Sequence, residues 1–357
     1  MGAYDRSELL EIELPEDVDE SMPYVFDDHS LAFSLGIRCK TLWWLLLTNN
    51  CHAQDSGKGL YKKYEIPKRG KNSGYRTIHE PCPVLKNVQK SILVTFFGDF
   101  SAPDHIGAYV SGRDQSFTAE QHVGQEVKIS LDIKDFFPYT RRAWIRNWLR
   151  TFGYNNWVVE ALSNLMVIPR HIKPGFVLST LPQGAPTSSL VSNFVANRRI
   201  DTPVMEYLDN NDEDYVYTRY ADDIEISFSK DLSFERVDNL IEKITGVIHE
   251  NGYKVNRKKT KIQRQKSPDI PMRVLGMTVN EKVNIPREEY RRLRAIVHNC
   301  KTKGFDTQYE RADKDSPFAL YEHVKGKLIY WNQINEELAQ PLLDDLEEAA
   351  QSQDLKE

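Results

Sequence analysis

Across residues 29–47 the apolar side chains recur at helical spacing, which predicts a helix opening the folded part of the chain. After a break at 54–59 the pattern shortens. Residues 64–80, punctuated by Pro67, Gly70 and Gly74, predict a hairpin whose tip carries Lys68, Arg69 and Lys71. Helical spacing returns at Leu85, Val88, Ile92 and Phe96, and strict alternation over 127–131 predicts a half-buried strand ending at Asp132. Helices are predicted over 142–164 and 190–200. Residues 215–228 read as two strands meeting at 221–223. The next helix, 234–252, has Ser233 placed to cap its start and a glycine at its end. A β hairpin over 272–283 and a strongly basic helix over 286–302 follow. No repeat period or low-complexity tract is visible, and the whole reads as an α+β chain with an all-helical end.

Length and composition widen this picture little. The chain has 357 residues, 40% hydrophobic and 28% charged, enough for two or three packed lobes. No apolar run approaches the roughly 18 residues of a membrane span, and residues 42–47 form the longest candidate. The acidic stretch 1–20 reads as neither a secretion signal nor a transit peptide, so a cytoplasmic, membrane-free protein is expected. Cys39, Cys51, Cys82 and Cys300 are scattered without a CxxC pair, which points to reduced, structural thiols.

Charge changes the picture more. The net charge is −5, but residues 1–30 hold ten acids against one Arg, and residues 336–357 hold eight against one Lys. Between these acidic ends lies a surplus of eleven positive charges, enough to hold a phosphate backbone. The plainer alternative is a pair of solvated tails around an average domain.

Tyr220, Ala221, Asp222 and Asp223 fall at a strand-to-strand turn. Adjacent carboxylates there repel each other unless a cation sits over them, and a divalent metal is the usual answer, although a solvated turn is the commoner case. Asp132 supplies a third acid, at the end of a strand and followed by Phe136 and Phe137. Set side by side on neighbouring strands, Asp132 and Asp222 could bridge two Mg²⁺ ions about 3.5–4 Å apart, with Asp223 completing the cluster. Asp135, three residues beyond, reads as structural or helix-capping. On the basic helix, Arg287, Arg291, Arg294 and His298 form one stripe, and Leu293, Ile296, Val297 and Cys300 another. One face packs and the other can track phosphates, unless it is simply a solvated surface.

Between the two acid sites stands Leu181-Pro182-Gln183-Gly184-Ala185-Pro186-Thr187-Ser188. A strand ending in Asp with aromatics, then Pro-Gln-Gly before a helix, then Tyr-x-Asp-Asp, in that order, resembles the reverse transcriptases. The resemblance runs from about residue 31 to residue 330 and takes in Ile66, Pro67, Lys68, Tyr75 and Arg76, residues 256–262 and 274–280. It implies a right-hand polymerase fold with fingers, palm and a helical thumb. The implied division is an acidic leader over 1–30, N-terminal helices and fingers over 31–125, and a palm with interleaved fingers segments over 126–270. A primer-grip hairpin and thumb over 271–335 and an acidic tail over 336–357 complete it.

By the same resemblance Asp132, Asp222 and Asp223 would be the catalytic, metal-binding acids. Arg76 and Lys68 would meet the triphosphate of an incoming dNTP, and Gln183 and Gly184 would line its pocket. Phe137 would sit beneath the sugar, where a ribose 2′-OH clashes. Lys259 would stand ready to protonate pyrophosphate, and Leu275 and Gly276 would grip the primer, with the arginine stripe on the RNA–DNA hybrid. Residues 107–113 followed by Thr118, Ala119, Glu120, Gln121 and His122 are similar to a retron motif of the form Asn-Ala-x-x-His, departing at its first position. Val274-Leu275-Gly276 stands where retron enzymes carry Val-Thr-Gly. His122 is expected to contact RNA or to serve as scaffold. The retron resemblance implies copying of a cognate structured non-coding RNA into branched, RNA-linked DNA within an anti-phage system, beside an effector of toxin or nuclease type. Other defence-associated or abortive-infection reverse transcriptases, an RNA-binding scaffold for an effector, and template-independent nucleotide addition stand as alternatives.

Overall fold

The structure, a computed structural model, describes residues 22–49, 59–68, 74–98, 101–173, 176–211, 214–267 and 271–355. The expected acidic leader up to residue 21, Cys51, and Arg69 and Lys71 of the basic tip lie outside these residues.

The chain opens with helices α1 (Asp28–Ser34) and α2 (Cys39–Thr48) rather than the single helix expected. Gly36, at φ +68°, ends the first, and the second leaves it at 100°. A hairpin of β1 (Tyr61–Pro67) and β2 (Tyr75–Pro81) follows, then α3 (Pro83–Phe97) and α4 (Gln115–Glu120). After β3 (Val127–Asp132) come α5 (Phe136–Tyr139), α6 (Arg142–Arg150) and α7 (Asn156–Met166). The break between the last two falls at Gly153, φ +78°, inside what the periodicity predicted as one helix. Strands β4 (Ile168–Lys173) and β5 (Phe176–Thr180) lead to α8 (Pro186–Ala196), a π-helical turn (Asn197–Asp201) and α9 (Thr202–Asp209). Then β6 (Tyr215–Tyr220), β7 (Asp223–Phe228), α10 (Phe234–Glu250) and β8 (Lys261–Arg264) complete the middle of the chain. Ser233 caps α10 as expected, its Oγ accepting from the Arg236 N–H at 3.2 Å. The chain ends with β9 (Arg273–Val274), β10 (Met277–Thr278), α11 (Arg287–Lys303), α12 (Pro317–Asn332) and α13 (Glu336–Ser352).

The central sheet is antiparallel, in the order β6-β7-β3-β8. Its two faces differ. Val127, Ile129 and Leu131 of β3 join Ile224, Ile226 and Phe228 of β7 in a core with Val237, Leu240, Ile244 and Ile248 of α10. Alternation therefore turns Lys128, Ser130 and Asp132, with Asp223, Glu225 and Ser227, to the opposite face. A second core joins residues 22–97 to residues 145–195, so Met22 and Val25 are already part of the folded body. A third, from Met272 to Ala349, holds the last three helices. It corrects the expectation of an acidic tail over 336–357. Ala339, Leu342, Leu346 and Ala349 of α13 are buried, and Lys301 binds Asp345 and Glu348 at 2.7 Å each. Among the described residues no single helix is long and apolar enough to cross a membrane.

Candidate active site

Asp132 ends β3 directly opposite Asp223, the first residue of β7, in antiparallel register. Directly opposed residues on paired strands bring their side chains within about 5 Å of each other. Tyr220 pairs with Asp223, so Ala221 and Asp222 alone make the β6–β7 turn, with Ala221 at φ +57°. Two backbone bonds seat this corner. The Ile133 N–H donates to the Asp222 carbonyl at 2.8 Å, and the Asn256 N–H donates to that of Asp132 at 2.7 Å. Asp132 and the adjacent pair Asp222–Asp223, from segments far apart in sequence, thus meet at one end of the sheet.

Their electrostatics are strained in the way a cation would relieve. Desolvation, then the charges of Asp222, Glu225 and Asp132, push the Asp223 carboxyl up to about 7, with Lys259 offsetting part of the rise. Asp222 is raised as well, by desolvation first and by Asp132 in turn, against Lys259 and Arg76. The Lys259 ammonium ion-pairs with Asp132 from the short helical turn Arg257–Lys259, and that carboxylate raises its own pKa. Hard oxygen donors that repel one another, with a lysine resting on one of them, are a donor set suited to Mg²⁺.

The expected pocket residues surround this corner. Arg76 is exposed on β2 and close enough to Asp222 to lower its pKa, and the N–H of Lys68 closes the hairpin on Gly74 O at 2.9 Å. The His79 N–H donates to Gln183 O at 2.8 Å, docking β2 onto the Pro-Gln-Gly loop. Gly184 is obligatory there: at φ +113°, a Cβ would come within 2.8 Å of Ile78 Cγ2. Phe137 is half-buried, its ring 5.5 Å from that of Phe136 and 6.4 Å from that of Tyr109. Tyr109 entered the sequence reading only as one residue of the 107–113 stretch, with no role at the site. It is half exposed, sits at φ +59°, and feels Asp222, Tyr220 and Arg76. Its left-handed backbone brings it there, and a sequence does not display φ.

Beneath the acids the polar face is tied off. Lys128, fully buried, bonds Glu225 Oε2 at 2.5 Å and Ser130 Oγ at 2.6 Å, and Ser130 donates to the same Glu225 oxygen at 2.6 Å. For His122, expected either to contact RNA or to serve as scaffold, burial decides between the two. It is fully buried, 2.7 Å from both Ser227 Oγ and Thr218 Oγ1, and burial holds its imidazole down at about 3. It is scaffold and cannot touch RNA from there. Asp135 stands at the N-cap position of α5 with φ +48° but its side chain caps nothing there.

Leu275 and Gly276 form the two-residue β9–β10 turn, both at positive φ, +49° and +91°. A type I′ hairpin turn needs that conformation at both positions. On α11 the apolar stripe packs as predicted, with Leu293, Val297 and Cys300 buried and Ile296 half-buried. Arg287, Arg291, Arg294 and His298 are exposed on the other side. Elsewhere, Asp28, His29 and Cys39 bring possible ligand atoms within 4.8 Å, but Asp28 is already engaged by Trp43 Nε1 at 2.7 Å.

Residues 66–279 match the family described as "Reverse transcriptase (RNA-dependent DNA polymerase)". The chain is 33% identical to the retron Mx65 reverse transcriptase of Myxococcus xanthus over 79% of its own length and 63% of that relative's. It is 28% identical to the retron Se72 reverse transcriptase of Salmonella heidelberg, covering 85% of this chain and 74% of the other. With the retron Ec86 reverse transcriptase of Escherichia coli it shares 26% identity, covering 78% and 79%. Among solved structures, a telomerase from Candida albicans in complex with a telomeric RNA fragment aligns with TM-score 0.43 and 12% identity over 81% of this chain and 63% of that one.

Proposed function

The chain belongs to the reverse transcriptase family, and from that premise we propose that it is an RNA-directed DNA polymerase of the retron type. It copies a cognate structured non-coding RNA into single-stranded, branched RNA-linked DNA as part of an anti-phage system. The observation that carries this reading is the register of Asp132 against Asp223, with Asp222 in the turn between β6 and β7.

In this reading the three aspartates would hold two Mg²⁺ ions. The chemistry such a pair supplies is activation of the primer hydroxyl and neutralisation of charge on the departing pyrophosphate. The remaining work falls to the chain's own groups. Arg76 and Lys68 clasp the triphosphate of a dNTP, and the hairpin that carries them closes to exclude water. Gln183 and Gly184 shape the base and sugar pocket, and the Phe137 ring excludes a 2′-OH. Lys259, which ion-pairs with Asp132, would hold a proton beside the leaving pyrophosphate. The exposed arginines of α11 follow the backbone of the RNA–DNA hybrid by shape and charge, and the Leu275–Gly276 turn rests on the primer strand. A protein partner of toxin or nuclease class, in the bacterial cytoplasm, completes the proposal.

The nucleic acid that co-purifies with the chain tests it. A covalent RNA–DNA hybrid, cut by both RNase and DNase, is the expected finding. Changing Asp222 and Asp223 together to Ala should abolish the DNA and leave the RNA bound, and DNA that persists would refute the site. DNA made without any RNA would point to template-independent addition, and bound RNA with no DNA from the unaltered chain to a scaffold.

A further inference from the structure

Arg219 lies one residue before Tyr220, on the helix-covered face of the sheet, where a charge needs a reason. It is fully buried, and so is its partner Asp201. Nε donates to Asp201 Oδ1 at 2.7 Å and Nη2 to Oδ2 at 2.8 Å, a two-armed pairing to which Tyr217 adds its hydroxyl at 2.7 Å. Nη2 also donates to the carbonyl of Asn193 at 3.1 Å. Nη1 donates to Asn193 Oδ1 at 3.1 Å and to the carbonyl of Ala221 at 3.2 Å. Every guanidinium N–H therefore has an acceptor.

The supports come from one helix ridge. Asn193, Asn197 and Asp201 follow one another at steps of four, and the π-helical turn at Asn197–Asp201 widens the helix there. Such turns are frequent at functional sites. The ridge holds the loop before α4 too: Asn193 Nδ2 donates to Ala108 O at 2.7 Å, and His105 Nε2 lies 2.8 Å from Asn197 Oδ1. The Arg219 backbone closes the frame, its N–H on His105 O at 2.7 Å and its carbonyl accepting from Gly107 at 3.0 Å.

Only one of these contacts reaches the metal turn, and it lands on the residue that least wants its conformation. Ala221 is buried at φ +57°, a left-handed state that a Cβ disfavours. Its carbonyl orientation sets where Asp222 starts. We propose that Arg219, held by Asp201, is a positioning residue that clamps Ala221 in the left-handed conformation and so aims Asp222 and Asp223 at the metal ions. This rests on the polymerase reading of the same site. A buried ion pair adds little net stability over apolar packing, which agrees with a role in geometry.

The test uses Arg219→Lys in the full chain, since lysine keeps a charge for Asp201 but cannot also reach Ala221 and Asn193. Mn²⁺ binding followed by electron paramagnetic resonance is the main readout, with thermal unfolding and RNA affinity beside it. Arg219→Lys should keep a cooperative transition and its RNA affinity while binding Mn²⁺ about tenfold or more weakly, the usual effect of losing a group that orients metal ligands. Adding Ala221→Gly should recover most of that loss, because glycine takes the left-handed conformation unaided. Unaltered Mn²⁺ affinity in Arg219→Lys, or a double variant that binds no more tightly than the single one, overturns the proposal. Should Arg219→Lys fail to fold, Tyr217→Phe removes one donor from Asp201 and is expected to weaken Mn²⁺ about threefold; unchanged binding there overturns it equally. An unaltered chain that binds Mn²⁺ but makes no DNA on RNA would count against the polymerase reading alone.

Discussion

Asp223 and Asp201 belong to opposite faces of the same sheet and show opposite electrostatics. On the polar face Asp223 meets Asp222, Glu225 and Asp132 and is pushed up to about 7. On the helix-covered face, burial also disfavours the charge of Asp201, but Arg219, His105 and Tyr217 outweigh it and hold the carboxyl down at about 2. The lesson is that a satisfied charge serves the fold, whereas an unsatisfied one is kept for a partner the protein must recruit.

The largest effect that would sharpen this contrast is chemical. Asp222→Asn or Asp223→Asn should cost on the order of a hundredfold to a thousandfold in DNA synthesis on an RNA template. In metal-free buffer the same variants should melt at or above the temperature of the unaltered chain, because repulsion has been removed; a clear drop in melting temperature would break the comparison. Next comes Arg219→Met, which strands Asp201 in the interior. Denaturant unfolding should show a loss of about 3–5 kcal/mol, the ordinary consequence of an uncompensated buried charge. A neutral result would mean that the two faces differ less than their contacts suggest.

Acid offers a gentler probe. The Asp201 pKa is depressed, so its contribution is present above the ordinary carboxylate range and disappears as pH falls toward about 2. The fall should be worth about 2 kcal/mol and be missing from Asp201→Asn when stability is compared between pH 5 and pH 2. The smallest effect belongs to the polar face itself, where Ser130 donates to Glu225 Oε2 at 2.6 Å. Ser130→Ala should lower stability by about 1.5 kcal/mol, the value of a hydrogen bond to a charged group, and leave the melting cooperative.

Features written over a few consecutive residues were legible. The alternation of β3, the turn expected at 221–223 and found at Ala221–Asp222, the Ser233 cap and the two stripes of α11 each depend on residue type and spacing over a few positions, and each is present. Where two local signals competed, the reading failed. The spacing of Leu338, Leu342 and Leu346 is helical, yet the acids between them suggested a solvated tail; packing on α11 and α12 decided for a helix. Gly36 and Gly153 lay inside periodic apolar runs, and only their left-handed backbone shows that each run is two helices.

The sequence by itself determined the chemistry: which carboxylates, which aromatic and which basic groups exist, and the strands and turns that carry them, because these follow from side-chain type and from periods of two and 3.6 residues. Tertiary structure alone decided how charges pair. It buried His122 and Lys128, set Arg219 on Asp201, and brought Asp132 beside Asp223. Whether a charge is quenched or left wanting depends on which distant segment lies within about 4 Å and how much water remains, and neither quantity is written along the chain.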